Sequence, residues 1–133
     1  MKSIFIGACA LGLLAGIGSA SAQQGTAAAR LTVQAGFVGG GIGDGSGKWE
    51  PMGNPTSCGP ARSASYNVQF AQPFAAAPVV TASLSQADVS KEADWRLRLQ
   101  ITNVTGSGFT LLFVTWCDTK AYGAMSQWTA FGN

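Results

Sequence analysis

The chain has 133 residues and a formal net charge of +2, from eight lysines and arginines against six aspartates and glutamates. This small surplus provides no basic patch of the kind that nucleic acid or an anionic membrane surface requires, so we expect neither partner. The sequence contains no histidine and three cysteines, a composition that argues against a zinc site and against the common serine and cysteine triads.

The N-terminal segment, residues 1–22, has the features of a secretory signal peptide. Lys2 supplies the positive start, Ile4–Ile17 forms an apolar core, and Ala20–Ala22 provides the small residues that precede a cleavage site. We therefore predict cleavage after Ala22 and a secreted or periplasmic protein without membrane insertion. The alternatives are a transmembrane anchor, for which the apolar run is short, and a lipoprotein signal ending at Cys9, which too little apolar chain precedes.

Removal of the signal peptide, with Cys9, leaves Cys58 and Cys117 in an exported protein, where disulfides persist. The sequence favours an intrachain bridge between these two residues. A bridge between two protomers and a pair of free thiols are the alternatives.

After a small, polar leader at residues 23–29, we predict a single domain at residues 30–133. Arg30–Gly36 alternates between apolar and polar residues and predicts a first strand. The glycine run Gly39–Gly47 matches neither the dinucleotide-binding nor the P-loop pattern, and we interpret it as a flexible surface loop. Glu50–Arg62, rich in proline, glycine, asparagine and serine, extends this loop, and connections of such length are often functional.

Five further strands are predicted from alternation and turn residues, and the segment between the third and fourth strands, Ser85–Asp94, is turn-rich. Leu111–Val114 is apolar on both faces, which predicts a central strand or one covered by a partner. No helical period appears after the signal peptide. The sequence therefore predicts an all-β fold, a six-stranded antiparallel β-sandwich. The five strands are expected at Tyr66–Phe70, Val79–Leu84, Trp95–Thr102, Phe109–Trp116 and Ala124–Phe131.

A series of short motifs follows one another over this part of the chain. They are Phe70-x-x-Pro73-Phe74, Pro78-Val79-Val80, Ser83-Leu84-Ser85 followed by Asp88, Arg96, Asn103-Val104-Thr105, Gly108-Phe109, Trp116-x-Asp118-Thr119, Tyr122 and Trp128. In order and spacing this set resembles the H-type lectin domain family, which includes the snail N-acetylgalactosamine agglutinins and the discoidin lectin domain. The resemblance covers roughly residues 30–132. It implies a trimeric sandwich, with hexamers as a further possibility, and metal-free sugar sites at protomer interfaces, without a cofactor.

The resemblance also implies three site residues. Arg96 matches the family's arginine, whose guanidinium fork is suited to sugar hydroxyls, although an exposed strand arginine is the alternative. Trp116 matches a tryptophan that can pack on the apolar face of a pyranose, with a core position as the alternative. Tyr122 matches a tyrosine whose hydroxyl can bond a sugar oxygen, with a loop anchor as the alternative.

Two departures from the family pattern lie near this site. Cys117 stands where the snail members have a histidine, and the loop segment Ser57–Pro60 lacks the acidic residue that they provide. An axial hydroxyl read by that carboxylate would lose its acceptor. Asp118 either replaces the missing carboxylate or closes an Asx turn. We further hypothesise that Cys58 and Cys117 bridge, within or between chains, and fasten the loop over the site.

Three classes of function follow. The resemblance favours a secreted multivalent lectin for galactose, N-acetylgalactosamine or related sugars, with cell adhesion as a role. The alternative is an interaction or assembly module that keeps the lectin fold without binding sugar. We do not expect an enzyme, because no pair of acids falls on the aromatic cluster as glycoside hydrolysis would require.

Overall fold

The structure, a computed structural model, describes residues 30–55 and 57–133. The predicted signal peptide at residues 1–22 and leader at residues 23–29 lie outside this part. The described chain forms six strands and one short helix. They are β1 (Thr32–Gly41), α1 (Glu50–Gly53), β2 (Arg62–Gln69), β3 (Val79–Val89), β4 (Leu97–Thr102), β5 (Gly108–Thr115) and β6 (Ala121–Gly132).

The strands form two antiparallel sheets of three strands each. Sheet A has the order β1-β6-β3 and sheet B has the order β2-β5-β4, so β6 and β5 are the central strands. Apolar side chains from one face of each sheet meet between them and form the core. The predicted six-stranded antiparallel sandwich is confirmed.

Strand β5 shows why a run that is apolar on both faces belongs in the middle of a sheet. Leu111 and Phe113 face the core and are fully buried, while Val114 on the opposite face is 6% exposed. Neighbouring strands on both sides shield the outward residues of a central strand, so alternation with polar residues is not needed there. The predicted central position of this strand is confirmed.

Aromatic side chains fill the core at both ends of sheet B. At one end Phe70, Phe74, Phe109 and Trp128 pack with ring centroids 5.0–5.9 Å apart. At the other end, Trp49 and Tyr66 pack on Phe113 at 5.3 and 5.8 Å. Burial of several large rings provides much of the apolar area that stabilises so small a sandwich.

The connection before β2 is more ordered than its composition predicts. Strand β1 continues through Gly39 to Gly41, where the glycines allow it to approach β6 closely: a Cβ at Gly39 would lie 2.1 Å from the carbonyl oxygen of Ala124. The residues that follow form α1 and bury Trp49 and Met52 completely. The predicted surface loop is therefore partly strand and partly core.

The segment predicted as turn-rich after the third strand also differs. Strand β3 continues past Leu84 to Val89, with a break in register between Leu84 and Gln86. Such a bulge changes which residues face inward, and this interrupts the alternation that sequence patterns reveal. Trp95, predicted as the first residue of the fourth strand, precedes β4 and is 66% exposed.

Candidate functional site

The candidate site is the connection between β5 and β6, residues 116–120, which we call the β5–β6 loop. Arg62, the first residue of β2, supports it from one side by donating hydrogen bonds to the carbonyl oxygens of Cys117 and Thr119, at 2.9 and 2.8 Å. On the other side, the Thr119 hydroxyl donates to the carbonyl oxygen of Asp94 at 2.6 Å. The Arg62 side chain and the Asp94 backbone, from two other parts of the chain, thus hold the loop in place.

Arg96 is the centre of a charged cluster at this loop. Its guanidinium forms ion pairs with Asp118 and Asp94, each with an N–O distance of 2.5 Å. A further, longer hydrogen bond of 3.4 Å reaches the Thr119 hydroxyl. The two predicted residues Arg96 and Asp118 are therefore in direct contact. One carboxylate oxygen of Asp118 accepts a hydrogen bond from the guanidinium of Arg96.

This cluster retains hydrogen-bonding capacity towards a ligand. A guanidinium has five N–H donors, and the described hydrogen bonds of Arg96 occupy three of them. The Arg96 side chain is 24% exposed, and the Asp94 and Asp118 side chains are exposed to a larger extent. Each carboxylate keeps an oxygen that does not contact Arg96, so the cluster offers donors and acceptors side by side.

Trp116 lies on the outer surface directly before this cluster. It is 37% exposed, which excludes the alternative of a purely core tryptophan. The Arg98 guanidinium lies over its ring, with the carbon atom Cζ 5.6 Å from the ring centroid. Arg98 is exposed on β4, and in the register of sheet B it lies opposite Val114, two residues before Trp116.

A disulfide joins Cys58 to Cys117 across 59 residues of sequence. The predicted intrachain bridge is confirmed, and the alternatives of an interchain bridge and of two free thiols do not describe this arrangement. The Cys117 backbone N–H also donates to the carbonyl oxygen of Gly59 at 3.2 Å. Both contacts fasten the long connection before β2 to the β5–β6 loop.

Tyr122 is the predicted residue that the structure does not join to the Arg96 cluster by a described hydrogen bond. It lies at the start of β6, and its ring packs towards α1, where a Cβ at Gly53 would lie 3.5 Å from the Tyr122 atom Cδ1. Its backbone carbonyl oxygen accepts from the Ile42 N–H at 2.7 Å. These contacts are those of a loop anchor.

Several residues of the site were not predicted from the sequence. Asp94 and Thr119 complete the Arg96 cluster, Arg62 supports the loop, and the Arg98 guanidinium lies over the ring of Trp116. The one available signal is the spacing of Asp94, Arg96 and Arg98, which places two cations and an acid at alternate positions. The contacts of Arg62 span more than fifty residues of sequence, so no local pattern could reveal them.

Residues 30–55 and 57–133 contain no group of three or more cysteine, aspartate or glutamate side chains placed to hold a metal ion. Within the same ranges, no helix has the length and apolar character needed to cross a membrane.

One concave feature of the described surface is not lined by any of the predicted sugar residues. A shallow hollow of about 250 Å³ occurs on the outer face of sheet A, between strands β3 and β6. Its lining is polar, from Thr81, Ser83, Gln127 and Thr129, together with Ala82. The Arg96 cluster, in contrast, is an open surface within a single chain.

Comparison with known families decides the membership of this chain. The model of the H-type lectin domain matches residues 65–131, which include β3 to β6 and the whole β5–β6 loop. The chain belongs to the H-type lectin domain family. The resemblance inferred from the sequence motifs is confirmed. Arg96, Trp116 and Asp118 all lie within the matched residues.

Individual relatives support this membership. Discoidin II of Dictyostelium discoideum, in its native recombinant form, is similar to 77% of this chain with 26% identity and a TM-score of 0.63. The match covers 38% of that protein. The wild-type discoidin II structure gives 25% identity, a TM-score of 0.64 and the same 77% coverage, over 37% of its own length.

A sequence relative from Fuscovulum blasticum, named ATP synthase subunits region ORF 7, is 34% identical over 67 residues. That match spans 50% of this chain and 58% of the relative. The chain thus covers less than two thirds of each of these proteins.

Proposed function

We propose that this protein is a lectin that binds sugar at the β5–β6 loop, with Arg96, Trp116 and Asp118 as the principal contacts. One observation carries the proposal: an arginine held between two carboxylates lies at the loop that carries a solvent-exposed tryptophan. Binding, without chemical conversion, is the proposed activity, since the chain belongs to a lectin family and these groups can recognise a ligand.

The chemistry of a pyranose supports this assignment. Each sugar hydroxyl both donates and accepts, and the Arg96 cluster presents free N–H groups next to free carboxylate oxygens. The indole of Trp116 can pack on the apolar C–H face of the same ring. Asp118 supplies a carboxylate at the site, which supports its role as the replacement for the acid missing from Ser57–Pro60.

Cys117 and Tyr122 complete the proposed set in different ways. Cys117 occupies the position next to Trp116, and its bridge to Cys58 fixes the loop on which Trp116 and Asp118 stand. Tyr122 is proposed as a contact at the start of β6, where its ring lies against α1. Galactose, N-acetylgalactosamine and related sugars are the expected ligands, and export after cleavage near Ala22 belongs to the same proposal.

We further propose that the protein acts as a homotrimer, which two stacked trimers would extend to a hexamer. Four apolar side chains are exposed on the outer face of sheet A, and we call them the sheet A patch. They are Val33 (59% exposed), Phe37 (66%), Val79 (57%) and Phe131 (37%). Val33, Phe131 and Val79 form a row across the three strands, and Phe37 lies further along β1, opposite Gln127. Exposed apolar side chains grouped on one face are typical of an association surface, and linked weak sites gain avidity, as cell adhesion requires.

A glycan array with the purified protein tests the lectin proposal. We expect binding to a restricted set of galactose-type glycans, and loss of that binding in Trp116→Ala and in Arg96→Ala. Trp116→Phe retains part of the signal, because it keeps an aromatic face. Arg30→Ala, which removes an exposed arginine at the edge of the described chain, serves as the matched control.

The second candidate function is an assembly module that does not bind sugar. The neutralisation of Arg96 by two carboxylates favours it, because a ligand must compete with those ion pairs. A folded, trimeric protein that binds no glycan on a broad array would support this candidate and overturn the lectin proposal.

A further inference from the structure

The electrostatic balance at the β5–β6 loop differs from residue to residue. Arg96 is balanced by Asp94 and Asp118, whereas the acceptors of Arg62 are neutral carbonyl oxygens. Lys120 belongs to the loop, and Arg98 lies over the indole of Trp116. Four cations therefore stand with two carboxylates around one short loop, so this corner of the protein has a positive surplus.

Arg98 is the cation of this group that is placed to meet a ligand. It is exposed, and its guanidinium lies 5.6 Å from the centre of the indole on which we propose that the sugar packs. Among residues 30–55 and 57–133, ion pairs are formed by Arg96, and none involves Arg98. Its planar fork of donors therefore remains available for a carboxylate or a sulfate.

The absence of an acidic residue from Ser57–Pro60 also favours an anionic ligand. A carboxylate at that segment would repel an anionic sugar, and the described segment presents serine, cysteine, glycine and proline. The disulfide from Cys58 to Cys117 holds this uncharged segment next to the site. The Ser57–Pro60 segment thus adds no negative charge to the two carboxylates that pair with Arg96, and Arg98 is an unpaired cation near them.

We infer that the ligands of this lectin are acidic sugars, in which a carboxylate or sulfate carried by the ring is bound by Arg98. The inference rests on the proposed sugar site and specifies its substrate class. The neutral part of the sugar is held by Trp116 and the Arg96 cluster, and the anionic group meets the guanidinium beside the indole. Arg98 is therefore a specificity-determining residue.

The test compares three ligands with the same ring: galactose, galacturonic acid and a sulfated galactose. Titration calorimetry with the full-length secreted protein should give about five- to tenfold tighter binding of both anionic sugars than of galactose at low salt. High salt should reduce this preference, because exposed charges are screened. Preference for one anionic sugar alone identifies whether the carboxylate or the sulfate is the matched group.

Substitutions at Arg98 assign the preference to this residue. In Arg98→Gln the ratio of anionic to neutral affinity falls to about one, and Arg98→Lys, which keeps the charge but loses the fork, retains part of it. Arg30→Gln, a matched loss of one exposed arginine, leaves the ratio unchanged. Sodium sulfate at matched ionic strength should not displace the sugars, since the ring supplies the remaining contacts.

The outcomes separate this inference from the proposed function. Equal affinity for the three sugars in the unmodified protein overturns the inference and leaves the lectin proposal intact. A preference that survives in Arg98→Gln overturns the assignment to Arg98. Absence of binding to all three sugars and to the glycan array overturns the lectin proposal, and the inference with it.

Discussion

Arg96 and Arg98 are two residues apart, yet their surroundings give them different tasks. Arg96 is held by Asp94, Asp118 and Thr119, which fix its guanidinium and set two carboxylates against its single positive charge. Arg98 lies on the outer face of sheet B, where the indole of Trp116 is its described partner. A preorganised donor set next to an unpaired cation is a physical basis for recognising a polar ring that carries a negative charge.

Tyr66 is a second residue whose environment allows a sharp prediction. Its hydroxyl accepts a hydrogen bond of 2.7 Å from the Nε1 of Trp49, a side chain with no solvent exposure. Tyr66→Phe would leave that buried N–H without a partner. We expect the free energy of unfolding to fall by about 1–3 kcal/mol, measured by urea denaturation.

The pH dependence of the same variant provides an internal check. Burial raises the pKa of Tyr66 above its ordinary value of 10.0. The stabilising contribution of the neutral phenol is therefore complete below pH 10 and decreases as the pH rises through the higher folded-state value. The stability difference between the unmodified protein and Tyr66→Phe should therefore shrink above pH 10.

At the scale of elements, the β5–β6 loop depends on the connection before β2. Arg62, Gly59 and Cys58 approach it from that connection and its following strand. Cys117 itself has a positive φ of 56°, a conformation in which a non-glycine residue is strained. The loop that carries Trp116 and Asp118 is thus held in place by contacts distant in sequence.

The disulfide provides the element-scale prediction. Replacing both cysteines, as Cys58→Ser with Cys117→Ser, should lower the free energy of unfolding by about 2–5 kcal/mol, because the bridge closes a long loop in the unfolded chain. Weaker sugar binding should accompany this loss, since the loop is released. Differential scanning calorimetry and the calorimetric titration measure the two effects.

A second double variant separates the bridge from the backbone strain. Cys58→Ser with Cys117→Gly also lacks the disulfide, but glycine adopts a positive φ without penalty. It should be more stable than the double serine variant by about 1 kcal/mol. Equal stability of the two double variants would contradict a strained backbone at Cys117, and a crosslinked dimer of the unmodified protein in non-reducing electrophoresis would contradict the intrachain bridge.

These elements also show what a sequence pattern can and cannot predict. The apolar run Leu111–Val114 identified a central strand correctly, because burial on both faces is a property of the strand itself. Strand β1 was predicted from the alternation over Arg30–Gly36, with the glycine run after it as a loop, but pairing with β6 extends the strand to Gly41. The motifs predicted Arg96, Trp116 and Asp118, and the Asp94–Arg96 pair is local in sequence, whereas Arg62 joins the site through contacts that no local pattern encodes.

At the scale of the whole molecule, the two sheets have different outer faces. The outer face of sheet B carries exposed serine, asparagine and glutamine side chains on β2, and Trp116 and Arg98 lie near the loop end of that sheet. The outer face of sheet A carries the sheet A patch, and in its register Val33, Phe131 and Val79 lie in one row across three strands. Association through sheet A would leave the outer face of sheet B open to glycans.

The last prediction concerns this association. The unmodified protein should be a trimer by light scattering, and Phe37→Asp should give a folded monomer, because a charge in an apolar interface is buried without a partner. The matched control Ser65→Asp, at an exposed position of β2, should remain trimeric. The monomer should also bind a glycan-coated surface about 100-fold more weakly or worse, through lost avidity.

The oligomeric state and the sugar affinity together test where the protomers associate and whether the sugar site is shared between them. A trimer that persists in Phe37→Asp would exclude the sheet A patch as the contact, and an unmodified protein that is monomeric at micromolar concentration would exclude the trimer. If the monomer also loses its affinity for a soluble monosaccharide, the sugar site requires a residue from a neighbouring protomer. If that affinity is retained, Arg96, Trp116 and Asp118 of one chain suffice, and the trimer contributes multiplicity alone.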